Sequence, residues 1–277
     1  MGHCKVGNGE GKTLRETNLD KFLAKIGRGE MPVGAVTTFT DAAVTEVVAA
    51  AGFDFVWVDG EHGIIDRKTA QDHIIAAQAN GIASFYRVPS CDHTEIKRII
   101  DLDPDAVIVP MVLNEQDAER AISACRYAIH GGDRGCGYRR RIRYGAEDVK
   151  EYLADAAHRP YVVIQLEHIE AVRRLDAILS VPGLDGIIIG PYDLSMSMSK
   201  PGEWTDPEVT AVFDDCCRRV KASGKTLGVY TECLFDVWRG RGVDYMAIKN
   251  DTNAMLLGLR QMKSETTDFQ TMRKETK

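Results

Sequence analysis

The feature that most constrains this chain is a rhythm of eight short, β-branched, apolar runs separated by longer amphipathic stretches of helical spacing. The runs cover residues 32–38, 53–59, 83–89, 106–112, 161–167, 186–190, 226–231 and 245–249. Near-continuous apolar runs are the mark of strands buried on both faces. Their alternation with helices implies a parallel sheet, because a right-handed helical crossover returns the chain to the same sheet edge. Eight units suit closure into an α/β, (β/α)8 TIM barrel, a fold of about 250 residues; the chain has 277. An open, doubly wound sheet is built from the same units and is the alternative. No linker, low-complexity tract or longer repeat divides the chain, so we expect a single domain. Residues 31–263 form the expected barrel, 1–30 an N-terminal extension with a helix, and 264–277 a polar, frayed tail.

With 44% hydrophobic and 27% charged residues, the chain can bury a substantial core without disulfide or metal staples. Its formal charge of -6 offers no global attraction to nucleic acid or to anionic membranes, and neither is expected as a partner. No apolar run approaches the roughly 18 residues needed to span a bilayer, and no signal-type apolar segment opens the chain. The seven cysteines are odd in number and form no CxxC pair, which suits a reducing compartment and a cytoplasmic location.

Active sites of such barrels lie at the C-terminal ends of the strands. There the second run ends in Asp59-Gly60-Glu61-His62, the third in Arg87-Val88-Pro89, the fifth in Gln165-Leu166-Glu167, and the sixth runs into Gly190-Pro191-Tyr192-Asp193. Taken singly, each is as readily a surface or salt-bridging group. Their arrival at one depth on four strands points to a shared site, because buried ionisable groups are costly unless paired or used. Glu167 and Asp193, on neighbouring strands, are hard oxygen ligands suited to a divalent cation that keeps positions open for substrate and water. The alternative is a carboxylate pair that is solvated or bonded to arginines. Two carboxylates do not choose the metal: Mg²⁺ or Mn²⁺ is favoured, with Co²⁺, Zn²⁺ or Ca²⁺ open.

The segments AGFDFVWVDGEHG (51–63), YRVP (86–89), IIDLDPDAVIVPMV with Asp101 (99–112), VIQLEHIEAV (163–172) and PGLDGIIIGPYDLS (182–195) follow one another in a family's order and near its spacings. In them the chain resembles the HpcH/HpaI aldolases, metal-dependent class II pyruvate aldolases related to citrate lyase β-like barrels, over roughly residues 30–263. The resemblance implies a lyase that cleaves or forms a 4-hydroxy-2-oxo acid, to or from pyruvate and an aldehyde, by way of a pyruvate enolate on the metal. Related outcomes are decarboxylation of a 2-oxo acid such as oxaloacetate, or a barrel that binds a small acid without turnover. It implies that Glu167 and Asp193 hold the metal, that Arg87 clamps the developing negative charge, and that His62 and Asp101 act as a proton-shuttling dyad. Gln165 and the backbone of Gly190, Pro191, Tyr192 and Asp193 would hold the pyruvate carboxylate, with Asp59 and Glu61 outer partners of a water on the metal. A homo-oligomer, often a hexamer built as a trimer of dimers, is implied as well.

Three segments depart from the family pattern: Ser195-Met196-Ser197-Met198-Ser199-Lys200, Leu102-Asp103-Pro104-Asp105 and Lys249-Asn250-Asp251. They bear on the acceptor more than on the reaction. Lys249 also raises a rival Schiff-base mechanism at a barrel strand end. The basic stretch from Arg134 to Tyr144, with Arg139, Arg140, Arg141 and Arg143, is read as meeting an anionic acceptor or a neighbouring subunit; the alternative is a solvated loop. The run Gly7 to Thr13 is one residue short of a phosphate loop and follows no strand.

Overall fold

The computed structural model of the protein describes residues 16–155 and 160–275. The run from Gly7 to Thr13, with Cys4, lies outside them. Eight parallel strands close in sequence order into a barrel, β1 pairing with β8. They are β1 (Val33–Thr37), β2 (Phe55–Asp59), β3 (Ala83–Arg87), β4 (Ala106–Val109), β5 (Tyr161–Leu166), β6 (Gly186–Ile189), β7 (Thr226–Thr231) and β8 (Tyr245–Asn250). All eight expected runs are strands, and the closed barrel is the outcome over the open sheet. The helices are α1 (Asn18–Gly27), α2 (Ala43–Ala50), α3 (Arg67–Ala79), α4 (His93–Ile100), α5 (Glu115–Cys125) and α6 (Val149–Asp155), then α7 (Ile169–Arg173), α8 (Leu175–Leu179), α9 (Pro191–Ser197), α10 (Pro207–Ala222), α11 (Phe235–Gly240) and α12 (Asp251–Glu275).

Strand side chains alternate between two cores. One parity, including Val56, Val58, Val107, Val162, Ile164, Ile187 and Val229, packs outward beneath the helices. The other, including Phe55, Trp57, Phe85, Ile108, Val163, Ile188 and Tyr245, fills the barrel interior. At the N-terminal end of the strands, α1 inserts Leu19 and Phe22 into that interior. Phe22 meets Phe55, Phe85 and Tyr245 with ring centroids 5.0–5.5 Å apart, an aromatic plug that closes the barrel floor. Gly34 makes room for it, since a Cβ there would stand 2.5 Å from the Phe55 ring.

The floor is also stapled by four aspartates, one just before each even-numbered strand. The carboxylates of Asp54, Asp105, Asp185 and Asp244 accept the backbone N–H of Val33, Ser84, Val162 and Leu227, on the preceding odd strand, at 2.7–2.9 Å. Each has a further partner: Lys25, the Ser84 hydroxyl, Arg126 and Lys221 respectively. At the seam between first and last strands, Asp251 accepts from the Thr37 hydroxyl, from the N–H and hydroxyl of Thr38, and from the N–H of Phe39. α12, which begins at Asp251, carries Met255, Leu256, Leu257, Leu259 and Met262 exposed. No described helix is long and apolar enough to cross a membrane.

Candidate active site

The alternation that builds the interior also delivers the site. The inward series Phe55, Trp57 ends in Asp59; Ala83, Phe85 ends in Arg87; Tyr161, Val163 continues through Gln165 to Glu167; and Ile188 is followed two residues on by Gly190. The β2–β3 register sets Asp59 beside Arg87. A cavity of about 190 Å³ opens over this layer, walled in part by Trp57, Asp59, His62, Arg87, Gln165, Tyr192, Asp193, Tyr230 and Asn250.

Arg87 is the fixed point of the site. It is 6% exposed, and its guanidinium donates from Nε and Nη2 to the two Asp59 oxygens at 2.9 and 2.6 Å, a bidentate pair. Nη1 donates to Gln165 Oε1 at 3.2 Å. The guanidinium also lies over the Trp57 ring, 5.1 Å from its centroid. Burial opposes its charge, but the bond to Asp59 and the field of Asp59, Glu61 and Glu167 outweigh it and hold its pKa above the ordinary value.

Glu61 lies 2.8 Å from Arg87 Nη1 through Oε2, in an ion pair. The angle is too poor for a hydrogen bond, so this buried oxygen has no hydrogen-bond partner. Glu167 is held from two sides: Oε1 accepts the N–H of Met111 at 2.7 Å, and Oε2 accepts from Gln165 Nε2. Met111 turns its amide there from the left-handed region, at φ 53°. That kink, after Pro110, is why β4 stops at Val109 rather than at the expected residue 112. Gly190 keeps the floor open, as a Cβ there would lie 3.1 Å from Gln165 Nε2 and 3.3 Å from Glu167 Cβ. It is the N-cap of α9, whose first turn carries Pro191, Tyr192 and Asp193.

Burial pushes the Glu167 carboxyl up to about 7; the Met111 N–H and Arg87 counter it, and the neighbouring charges of Glu61 and Asp193 add to it. Burial likewise raises Glu61, against the pull of Arg87. Glu61, Glu167 and Asp193 thus share one field with a single guanidinium already engaged by Asp59, so negative charge outnumbers positive there. Hard oxygen donors in such a field fit a divalent cation. Among the described residues no three or more His, Cys, Asp or Glu side chains gather as a ligand cluster.

The remaining expected residues are placed as follows. His62 lies at the cavity mouth with its side chain 69% exposed, Nε2 standing 3.9 Å from Glu61 Oε2. Asp101 follows α4 as its C-cap and pairs with Arg134 at 3.5 Å. It borders a separate basic cleft with Arg67, Lys68, Arg139 and Arg140; no described contact joins it to His62. Arg140 and Arg141 tie the basic loop to the 102–103 segment, bonding the Leu102 carbonyl and pairing with Asp103. Lys249 does not line the cavity; it takes a left-handed backbone, φ 53°, that breaks the strand alternation and presents Asn250 instead. Sequence reasoning missed Met111, Trp57, Tyr230 and Asn250. Trp57 and Tyr230 were within reach, lying on the inward parity of their strands, whereas nothing in the sequence signals the Met111 turn.

Fold and site together define a (β/α)8-barrel enzyme that keeps a clamped arginine and acidic oxygen donors at the strand ends, the equipment of a carbon–carbon lyase acting beside a carbonyl. Residues 37–241 match the family model HpcH/HpaI aldolase/citrate lyase. The chain belongs to the HpcH/HpaI aldolase/citrate lyase family and is an aldolase-type lyase. It is 36% identical over 244 residues to 4-hydroxy-2-oxovalerate aldolase of Rhodococcus jostii, covering 87% of this chain and 93% of the relative. It is 32% identical over 241 residues to hydroxypyruvate/pyruvate aldolase of Roseobacter denitrificans, covering 86% and 93%. In fold it resembles the crystal structure of an HpcH/HpaI aldolase from Desulfitobacterium hafniense, with a TM-score of 0.80, 24% identity, and 88% of this chain and 95% of that chain covered.

Proposed function

We propose that this protein interconverts a 4-hydroxy-2-oxo acid with pyruvate and an aldehyde, with Glu167 and Asp193 holding a divalent ion, Mg²⁺ or Mn²⁺. The observation that carries this is a guanidinium fixed by Asp59, Gln165 and Glu61 beside the buried Glu167, whose carboxyl burial pushes up to about 7. When bound, the ion supplies Lewis-acid polarisation of the 2-oxo acid. In cleavage the C3–C4 bond breaks, its electrons move toward the keto oxygen, the C4 hydroxyl loses its proton, and C3 finally gains one. Arg87 lies where negative charge grows on the keto oxygen and cannot turn away, because both its edges are bonded. Gln165 and the free N–H groups of Tyr192 and Asp193 in the first turn of α9 hold the pyruvate carboxylate.

His62 moves the proton at the aldehyde oxygen; its exposure at the mouth suits exchange with solvent. Asp101, whose Oδ1 pairs with Arg134 at 3.5 Å, is its dyad partner: Asp101→Asn should shift the pH profile of kcat, and an unchanged profile would remove Asp101 from the reaction. We further propose a homo-oligomer, supported by the exposed apolar run from Met255 to Met262 on α12, and a cytoplasmic location, supported by the six cysteines among the described residues, all unpaired. Light scattering on the purified chain checks the assembly. The central test incubates the protein with a panel of 4-hydroxy-2-oxo acids and with oxaloacetate. Pyruvate release from the former, abolished by EDTA and restored by Mn²⁺, is expected; release unaffected by chelation would overturn the metal role.

A further inference from the structure

Adjoining the 190 Å³ cavity is a second one of about 370 Å³, and the two share Pro191, Tyr192 and Tyr230 as lining residues. We propose that this annex receives the tail of the acceptor, so that the preferred aldehyde carries an aromatic or extended apolar substituent; this rests on the aldol reaction proposed above. The first cavity alone is smaller than the roughly 300–1,000 Å³ that drug-sized ligands occupy, whereas the annex reaches that range by itself.

The construction of the annex selects the chemistry of its occupant. Its back wall is aromatic: Phe213 of α10 and Trp238 of α11 pack with centroids 5.2 Å apart, and Trp204 meets Tyr192 at 5.9 Å. The polar groups around it are already engaged. The Tyr230 hydroxyl donates to Glu232 at 2.9 Å, whose other oxygen accepts from Asn253. Thr231 donates to the Cys233 carbonyl. Arg241 stacks over Trp238 and donates to Asp214. An apolar tail would gain by leaving water against this aromatic wall.

Of the three shared residues, Tyr230 links the annex to the packing around Arg87. Tyr230 packs on Trp57 with centroids 6.1 Å apart, and Trp57 carries Arg87 on its face. The segment that departs from the family pattern after Asp193 braces the wall residues Tyr192 and Trp204 from outside: the Ser195 hydroxyl donates to the Tyr192 carbonyl and accepts from the Gly202 N–H. Lys200 ties down Asp206 and Glu208 and fixes the turn that brings Trp204 to Tyr192.

In the reaction, pyruvate gives up a C3 proton, C3 bonds to the aldehyde carbon, and the aldehyde oxygen takes up a proton; nothing else is consumed. The test compares phenylacetaldehyde with acetaldehyde as acceptors for pyruvate, alongside deuterium exchange at the pyruvate methyl group without any aldehyde. Wild type should show a kcat/KM about 10-fold or more higher for phenylacetaldehyde, the scale of one buried ring. Trp204→Ala, and separately Cys233→Trp to fill the annex, should each lower that ratio about 10-fold, with acetaldehyde turnover and the exchange rate changed less than about 2-fold. Exchange without any preference, or a preference that survives both variants, overturns the annex and leaves the aldol reading standing. Absence of exchange in wild type with Mn²⁺ removes both.

Discussion

The two ends of this barrel both bury acidic side chains, and they treat them in opposite ways. At the floor, Asp54, Asp105, Asp185 and Asp244 each take a strand N–H plus a second donor. At the rim, Asp59 is paired to Arg87 but Glu61 keeps an oxygen without a hydrogen bond, and burial lifts Glu167 to about 7. The floor's carboxylates are satisfied within the chain and act as structure; the rim's are satisfied only in part, which is what the proposed cation and substrate site requires. Burial raises the carboxyls of Asp105 and Asp185 as it does Glu167, so buried charge is costly at both ends. The difference is that each floor carboxylate has a strand N–H and a second donor inside the chain.

That contrast is testable, beginning with the largest effect. Glu167→Gln should lower kcat about 10³-fold or more in the presence of Mn²⁺, the scale of losing a Lewis-acid site, while the metal-free variant should be at least as stable as wild type at neutral pH. The sign follows from the raised carboxyl: its favourable contribution is full below the ordinary value of 4.5 and is lost as pH rises through about 7. Denaturant melts of both metal-free proteins at pH 4.5 and pH 8 should therefore diverge by up to about 3 kcal/mol in favour of the variant at the higher pH. A constant difference would show that Glu167 is already satisfied. Arg87→Lys should cost about 10²–10³-fold in kcat, because an ammonium cannot keep the two-pronged bond to Asp59; steady-state assays near wild type would mean that charge alone suffices.

At the opposite end, Phe22→Ala should remove about 3 kcal/mol of stability by opening the aromatic plug, with kcat per folded molecule unchanged. An activity loss at constant fold would show that floor and rim are coupled. Asp105→Ala should cost about 1–3 kcal/mol by stranding the Ser84 N–H, again without effect on pyruvate KM. The smallest effect is expected at Lys249: Lys249→Arg should keep activity within about 2-fold, and borohydride with pyruvate should add no mass to wild type, since a Schiff base is the intermediate such trapping detects. An adduct at Lys249 would replace the proposed mechanism.

The barrel was legible in the sequence because both of its determinants are periodic. Apolar runs of strand length located all eight strands, and the two-residue alternation carried Asp59, Arg87, Gln165, Glu167 and Gly190 to one layer. What escaped depends on backbone that leaves the period. Met111 and Lys249 take left-handed conformations, so one aims an amide at Glu167 and the other yields its place to Asn250. The four floor aspartates stood in plain view as Asp54, Asp105, Asp185 and Asp244, each the residue immediately before an even strand, but only the register shows whose N–H they accept. The annex depends on side chains from α9 through α11 meeting in space, and no spacing rule anticipates that.

The seam has a consequence for how such a chain comes into being. The bonds from Asp251 to Thr37, Thr38 and Phe39 span 212–214 residues, and β8 finds β1 across a similar separation. A ribosome must therefore release nearly the whole polypeptide before the first strand can find its last neighbour. Until then β1 waits as an open edge, the condition in which a half-made protein is most dependent on chaperones.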